Sequence, residues 1–131
     1  MKRAKNPRRG LLVLTDGGDN SSSYSKSEVR TLVQESDVRI YSIGLSDRPE
    51  FLEKLGSDSG GRAFRVRKVN ELPTVMDTLS RDFRNVYVLG YAPKVRLRDG
   101  RYRRIRVEVS EAMPQSPLTV FWRRGYCAPI E

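Results

Sequence analysis

Gly10-Leu11-Leu12-Val13-Leu14-Thr15, followed by Asp16-Gly17-Gly18-Asp19-Asn20, decides the fold of this chain. Four apolar residues in a row without polar alternation read as a strand buried on both faces of a parallel sheet. The polar, glycine-rich loop that ends the run predicts a strand-to-helix connection. Ser25 and Glu28 then form an S-x-x-E capping box, with Tyr24 and Val29 spaced as a hydrophobic staple. Val29, Leu32 and Val33 follow as an apolar stripe, which predicts a helix near 26–36. Val38 to Gly44 is a second strand, with Val38, Ile40, Ser42 and Gly44 on one side and Arg39, Tyr41, Ile43 and Leu45 on the other.

The same grammar continues downstream. Asp47 and Glu50 make a second capping pair, Pro49 suits a first helical turn and Gly56 suits a stop, so a helix is expected near 48–55, with Phe51, Leu52 and Leu55 facing the core. Gly60-Gly61 is a turn, and Ala63 to Val66 a third strand. Leu72, Val75, Met76, Leu79 and Phe83 recur at helical spacing behind Asn70 as cap, predicting a helix over 71–84. Alternating strands and helices with short connections signify an α/β domain, a partial doubly wound, Rossmann-like parallel sheet covered by helices. From residue 85 the helical spacing stops. Strands are expected over 86–91, 101–109 and 118–124, with Asp99-Gly100 as a tight turn, which makes an antiparallel β meander. The expected division is therefore 1–84 for the α/β part and 85–131 for a β extension packed on it.

Composition removes much of the functional menu. The 131 residues contain no histidine and a single cysteine, Cys127. Ser-His-Asp and Cys-His catalysis, histidine metal ligation and a disulfide framework are thereby excluded. Nucleotide-binding glycine motifs are absent as well. Carboxylates such as Asp16, Asp19 and Asp58 are the residual candidates for catalysis at strand ends, too little for an enzyme reading, and Cys127 reads as an incidental thiol. No apolar run approaches the ~20 residues of a membrane span, and no apolar segment follows the basic N-terminus as in a signal peptide.

The net charge of +9 is unevenly spread. Residues 1–15 hold five bases and no acids, residues 16–58 nine acids and five bases, and residues 59–131 fifteen bases and seven acids. The densest run is Lys94, Arg96, Arg98, Arg101, Arg103, Arg104 and Arg106, interleaved with Tyr102. Arg96, Arg98, Arg101, Arg104 and Arg106 form a candidate anion patch, and a basic hairpin carrying an aromatic can track a phosphate backbone. The competing reading is a solvated hairpin whose charges guard an edge against aggregation, and it is preferred, because no nucleic-acid-binding signature accompanies the patch. Alternation predicts Tyr102, Arg104 and Arg106 on one face and Ile105, Val107 and Val109 toward the core.

Leu11-Leu12-Val13-Leu14-Thr15-Asp16-Gly17, the capped helix and Val38-Arg39-Ile40-Tyr41-Ser42-Ile43-Gly44-Leu45 together resemble the second half of a von Willebrand factor type A domain. Gly60-Gly61-Arg62-Ala63-Phe64, Tyr87-Val88-Leu89-Gly90-Tyr91 and Arg124-Gly125-Tyr126-Cys127-Ala128-Pro129 are more narrowly similar to bacterial "VWFA-related" proteins of the acidobacterial type. The resemblance implies a protein-binding, adhesion-type module with a metal-ion-dependent adhesion site for Mg²⁺ or Mn²⁺. It also implies use outside the cytoplasm. Asp16 matches the aspartate after the fourth strand of that site, with Thr15, Gly17 and Gly18 around it. The D-x-S-x-S and threonine loops would lie upstream of residue 1. Asp19-Asn20-Ser21-Ser22-Ser23 fits D-x-S-x-S as a string, but it follows Asp16 by three residues in the wrong loop, so Asp19 is a weak ligand and the segment reads as a solvated turn. Asp16 supplies too few of the six oxygens Mg²⁺ wants, so no tightly bound ion is expected. With the first strand of the family absent, Leu11 to Thr15 becomes a sheet edge, apolar on both faces, which predicts pairing with a second copy or cover by the β extension.

Overall fold

The computed structural model describes residues 9–16, 22–45, 50–94, 97–110 and 119–130. Strand β1 (Arg9–Thr15), helix α1 (Lys26–Glu35), strand β2 (Val38–Leu45), helix α2 (Glu50–Ser59), strand β3 (Ala63–Val66) and helix α3 (Leu72–Arg84) follow in order. The first three strands form one parallel sheet in the order β1-β2-β3. Its register places Thr15 beside Gly44 and Ser42 beside Ala63. Strands β4 (Tyr102–Arg104) and β5 (Gly125–Cys127) form a separate antiparallel pair.

Strand β2 is central, and its two faces build two cores. Val38 and Ile40 pack with Leu55, Val29, Val33, Phe51 and Leu52, the apolar faces of α1 and α2. Tyr41 and Ile43 pack with Val66, Leu79, Leu72 and Val75, the apolar face of α3. The alternation read along Val38–Leu45 is thus borne out, with helices on both faces of the sheet. Burial pushes the Tyr41 phenol above its ordinary pKa.

The first helix forms as its cap dictates. Ser25 accepts from the Glu28 backbone N–H, and the Glu28 carboxylate accepts from the Ser25 backbone at 2.8 Å, closing the capping box. The staple does not close over it: Tyr24 is 64% exposed, and Leu32, at the margin of the stripe, is 56% exposed. The third helix is entered through a 3₁₀ turn, Val69–Glu71, with Pro73 in its first turn and no side-chain cap, so Asn70 is not its cap. Of its predicted stripe, Met76 and Phe83 lie largely exposed at the margin.

The second helix corrects one expectation. It runs four residues past Leu55, and Gly56 lies inside it; the proposed cap at Asp47 lies outside the described residues. A Cβ on Gly56 would stand 3.3 Å from the Ile40 carbonyl oxygen, so this glycine allows the helix to approach β2. The stop comes at Gly60, with φ +81°, while the Gly61 N–H donates back to the Gly56 carbonyl at 2.9 Å, a Schellman closure. Ser59 completes the join: its hydroxyl accepts from the buried Ile40 N–H at 2.9 Å and donates to the Gly56 carbonyl at 3.1 Å.

Two further expectations change. Leu11, Leu12 and Leu14 are 39%, 44% and 61% exposed, so β1 is not buried on both faces. It is a sheet edge, hydrogen-bonded on one side only among the described residues. None of the described residues of the β extension pairs with it. The predicted meander is also reduced. Residues 86–91 form no strand, and Tyr87, Val88 and Leu89 are exposed. The reason lies in the partner: Tyr102–Arg104 pairs with Gly125–Cys127 instead of with 86–91. The expected strand over 118–124 is irregular where described, because its backbone is engaged elsewhere, with Arg124 N–H donating to the Asp58 carbonyl at 3.1 Å.

The Gly60-Gly61 turn gives a sharp test. A Cβ on Gly61 would meet the Ile40 carbonyl oxygen at 2.0 Å, backbone against backbone, whereas Gly90 has nothing within 4 Å. Gly61→Ala is expected to cost at least about 2 kcal/mol in urea unfolding, as overpacking does. Gly90→Ala should leave the midpoint within about 0.5 kcal/mol.

Candidate functional site

The parallel sheet has two ends, and the candidate residues divide between them. Asp16 is the first residue past β1, exposed at the carboxyl end of the strands, where open α/β sheets place ligands. Thr15 is half-buried and stands in register with the buried Gly44 of β2. Gly17, Gly18 and Asp19 lie outside the described residues. No group of three or more carboxylate or thiol ligands that could hold a metal ion occurs among the described residues. One carboxylate does not fit an ion that prefers six oxygens. Asp58 does not join Asp16: it sits near the C-terminal end of α2, which leads to the start of β3, and it pairs with Arg30 at 2.8 Å. Cys127 lies half-buried in β5.

The opposite end of the sheet carries the C-terminal segment. Arg123 reaches across to the end of α1, where its guanidinium donates to the Gln34 carbonyl and pairs with Asp37. A cation there satisfies an orphan carbonyl and the negative end of the helix dipole. Gly60 accepts the backbone of Trp122 and Arg123 so closely that a Cβ would lie 2.7 Å from the Arg123 nitrogen. Arg62 is layered between two rings, 4.8 Å from Phe64 and 4.5 Å from Phe121, and pairs with Asp82 at 3.3 Å. The Trp122 indole N–H donates to the Ile105 carbonyl at 3.1 Å, and the Arg124 guanidinium stacks 4.1 Å over the Trp122 ring.

The predicted anion patch is only partly assembled. Arg98, Arg101, Arg104 and Arg106 are exposed; Arg96 lies outside the described residues. Arg106 pairs with Glu108 at 2.7 Å, and Arg101 approaches Asp99 at 3.8 Å. Arg103 turns to the other face, pairing with Asp99 at 2.9 Å and donating to the Leu97 carbonyl at 3.2 Å. The Asp99 carboxyl is held below its ordinary pKa, first by the Arg101 backbone N–H and then by the Arg103 guanidinium. Tyr102, Arg104 and Arg106 share the exposed side and Ile105 and Val107 the half-buried one, as the alternation predicts, but Val109 is 47% exposed.

Sequence reading missed what the second side builds. Tyr91, Pro93, Leu97, Arg98, Arg103, Ile105, Arg123, Tyr126 and Pro129 line a cavity of about 490 Å³ that is open to solvent. Tyr91 and Tyr126 meet edge to face, ring centres 6.4 Å apart. Their hydroxyls are hydrogen-bonded, which raises the Tyr91 pKa. The lining comes from three separate stretches, so no local motif announces it.

The chain matches the von Willebrand factor type A domain over residues 1–78. It belongs to that family. It is 43% identical over 77 residues to the human von Willebrand factor A domain-containing protein 3A, covering 55% of this chain and 6% of that protein. An uncharacterised protein of Borreliella burgdorferi is 38% identical over 60 residues, covering 46% of this chain and 18% of its own length. The chain thus spans less than a fifth of either relative. The crystal structure of an uncharacterised membrane-spanning protein from Vibrio fischeri shares the fold, with a TM-score of 0.53 and 21% identity over 58% of this chain and 47% of that one. Among the described residues of this chain, no helix is long and apolar enough to cross a membrane. Von Willebrand factor A domains are generally protein-interaction modules without catalytic activity, and they commonly bind a divalent metal at the adhesion site.

The Arg123 anchor is separable from the exposed arginines. Arg123→Ala is expected to lower unfolding free energy by about 1–2 kcal/mol through the lost helix cap and stem packing. Arg104→Ala, on the solvent face, should change it by less than about 0.5 kcal/mol. Equal effects in urea titrations would contradict the anchoring role.

Proposed function

We propose that this chain is part of a non-enzymatic recognition module of the von Willebrand factor A class, which meets a protein ligand at the carboxyl ends of its strands. The observation that carries the reading is the exposed Asp16, one residue beyond β1 and beside the glycine of β2. In this reading 1–84 forms the recognition domain and 85–131 its β extension, working outside the cytoplasm. The chain's own residues supply one carboxylate of an adhesion site, so a cation is held weakly until further oxygens complete the shell.

Manganese broadening of backbone amide signals tests the site. At millimolar Mn²⁺, loss of signal should centre on residues 14–16 and 44–45 and disappear in Asp16→Asn. Broadening centred elsewhere, or half-saturation at micromolar Mn²⁺, would overturn the reading of Asp16 as a lone ligand.

The exposed edge of β1 belongs to the same proposal. Leu11, Leu12 and Leu14 lie along a strand with one side unpaired among the described residues, and a second copy in a two-fold strand-to-strand pair is the simplest closed partner. Light scattering should report more than a monomer, and Leu14→Lys should shift the mass toward the monomer. A monodisperse monomer at high concentration would refute the pairing.

A further inference from the structure

The cavity at the end of the sheet remote from Asp16 has no part in the recognition reading above. Its floor and walls are apolar: Ile105, Leu97, Pro93 and Pro129 stand with the two tyrosine rings. At about 490 Å³ it falls within the ~300–1,000 Å³ of small-ligand sites. Three guanidinium groups line it, and they are not equivalent. Arg123 is spent on Asp37 and the end of α1, and Arg103 on Asp99 and the Leu97 carbonyl. These two are held in place by their partners. Arg98 has no ion-pair partner among the described residues and is exposed at the mouth. Asp99 is shared with Arg101, so Asp37 and Asp99 stand against four guanidinium groups and the surroundings of the apolar lining are net positive, with Arg98 the lining group that no acid answers among the described residues.

From this arrangement we infer that the cavity binds an apolar, ring-bearing group that carries a single carboxylate, with the ring against Ile105 and Tyr126 and the carboxylate at Arg98. The guanidinium fork suits a carboxylate, since two parallel N–H donors match its two oxygens. A neutral ligand of the same shape leaves the Arg98 charge unanswered. The same chemistry is offered by the C-terminal end of a peptide finishing in an aromatic residue and by a free aromatic acid.

The test uses the whole chain, labelled with ¹⁵N, and three probes: N-acetyl-phenylalanine, its neutral carboxamide, and N-acetyl-Gly-Gly-Phe with a free carboxylate. N-acetyl-phenylalanine is expected to shift the amide signals of Ile105 and Tyr126 saturably. The carboxamide should bind about three- to fivefold more weakly, the worth of one exposed charge pair. Arg98→Ala, a change at an exposed side chain, should bring the acid down to the affinity of the amide while leaving the rest of the spectrum in place. Raising the salt should narrow the same gap. Tighter binding of the tripeptide than of N-acetyl-phenylalanine assigns the site to a peptide end; equal or weaker binding assigns it to a free acid. Absence of saturable shifts at Ile105 and Tyr126, equal affinities for acid and amide, or an unchanged preference in Arg98→Ala would each overturn the inference.

Discussion

The central strand and the C-terminal segment both close on the backbone of Gly60 and Gly61. On one side the chain presses against the Ile40 carbonyl of the central strand; on the other it presses against Trp122 and Arg123 of the C-terminal segment. Neither side leaves room for a methyl group. The constraint is geometric before it is energetic. A helix that must stop, reverse and enter a parallel strand within three residues needs a left-handed residue, and Gly60 supplies it at φ +81°. Because that turn is flat on both sides, the β extension can dock by backbone contact. The arginine side chains around it then fix what the contact only permits: Arg123 at the end of α1, Arg62 between Phe64 and Phe121.

Much of the α/β part was legible because each signal was local. The Ser25 and Glu28 box, the two-faced alternation of Val38–Leu45 and the turn at Gly60-Gly61 depend on residues a few positions apart, and the structure reproduces all three. Gly56 was misleading for a related reason. A glycine near a helix end reads as a stop, but only the distance to Ile40 shows that it serves close approach. The β extension was less legible because pairing there is decided at a distance. Residues 86–91 have strand composition, yet strand-forming side chains do not choose their partner, and Tyr102–Arg104 pairs with a segment more than twenty residues downstream. The family could be seen from ordered pieces of sequence. The cavity could not, since its lining meets only after β4 and β5 pair.

Strand β1 shows how composition and position separate. Its four consecutive apolar residues ask for cover on both faces, and one neighbouring strand provides only part of it. Beyond Arg9 at its start, this edge strand has neither charge nor proline to deter pairing. Its sequence suits an interior position, and the exposure of Leu11, Leu12 and Leu14 measures the difference between that composition and this setting.

The separation of Asp16 from the cavity has a mechanical basis in the parallel topology. All three strands run the same way, so every strand-to-helix loop falls at one end and every helix-to-strand turn at the other. Asp16 follows a strand and belongs to the first end. Arg123, capping α1 before β2 begins, and Gly60, ending α2 before β3 begins, belong to the second. The extension is tied to the second end by these contacts and cannot reach over the strand termini without giving them up. A ligand at Asp16 therefore leaves the cavity free, and of the three strands that join the two ends β2 is the most buried. Tyr41, buried in the middle of β2 with its ring 4.8 Å from Phe83, holds that strand against α3. Coupling carried by β2 would have to move the most buried of the three parallel strands, which close packing on both faces resists.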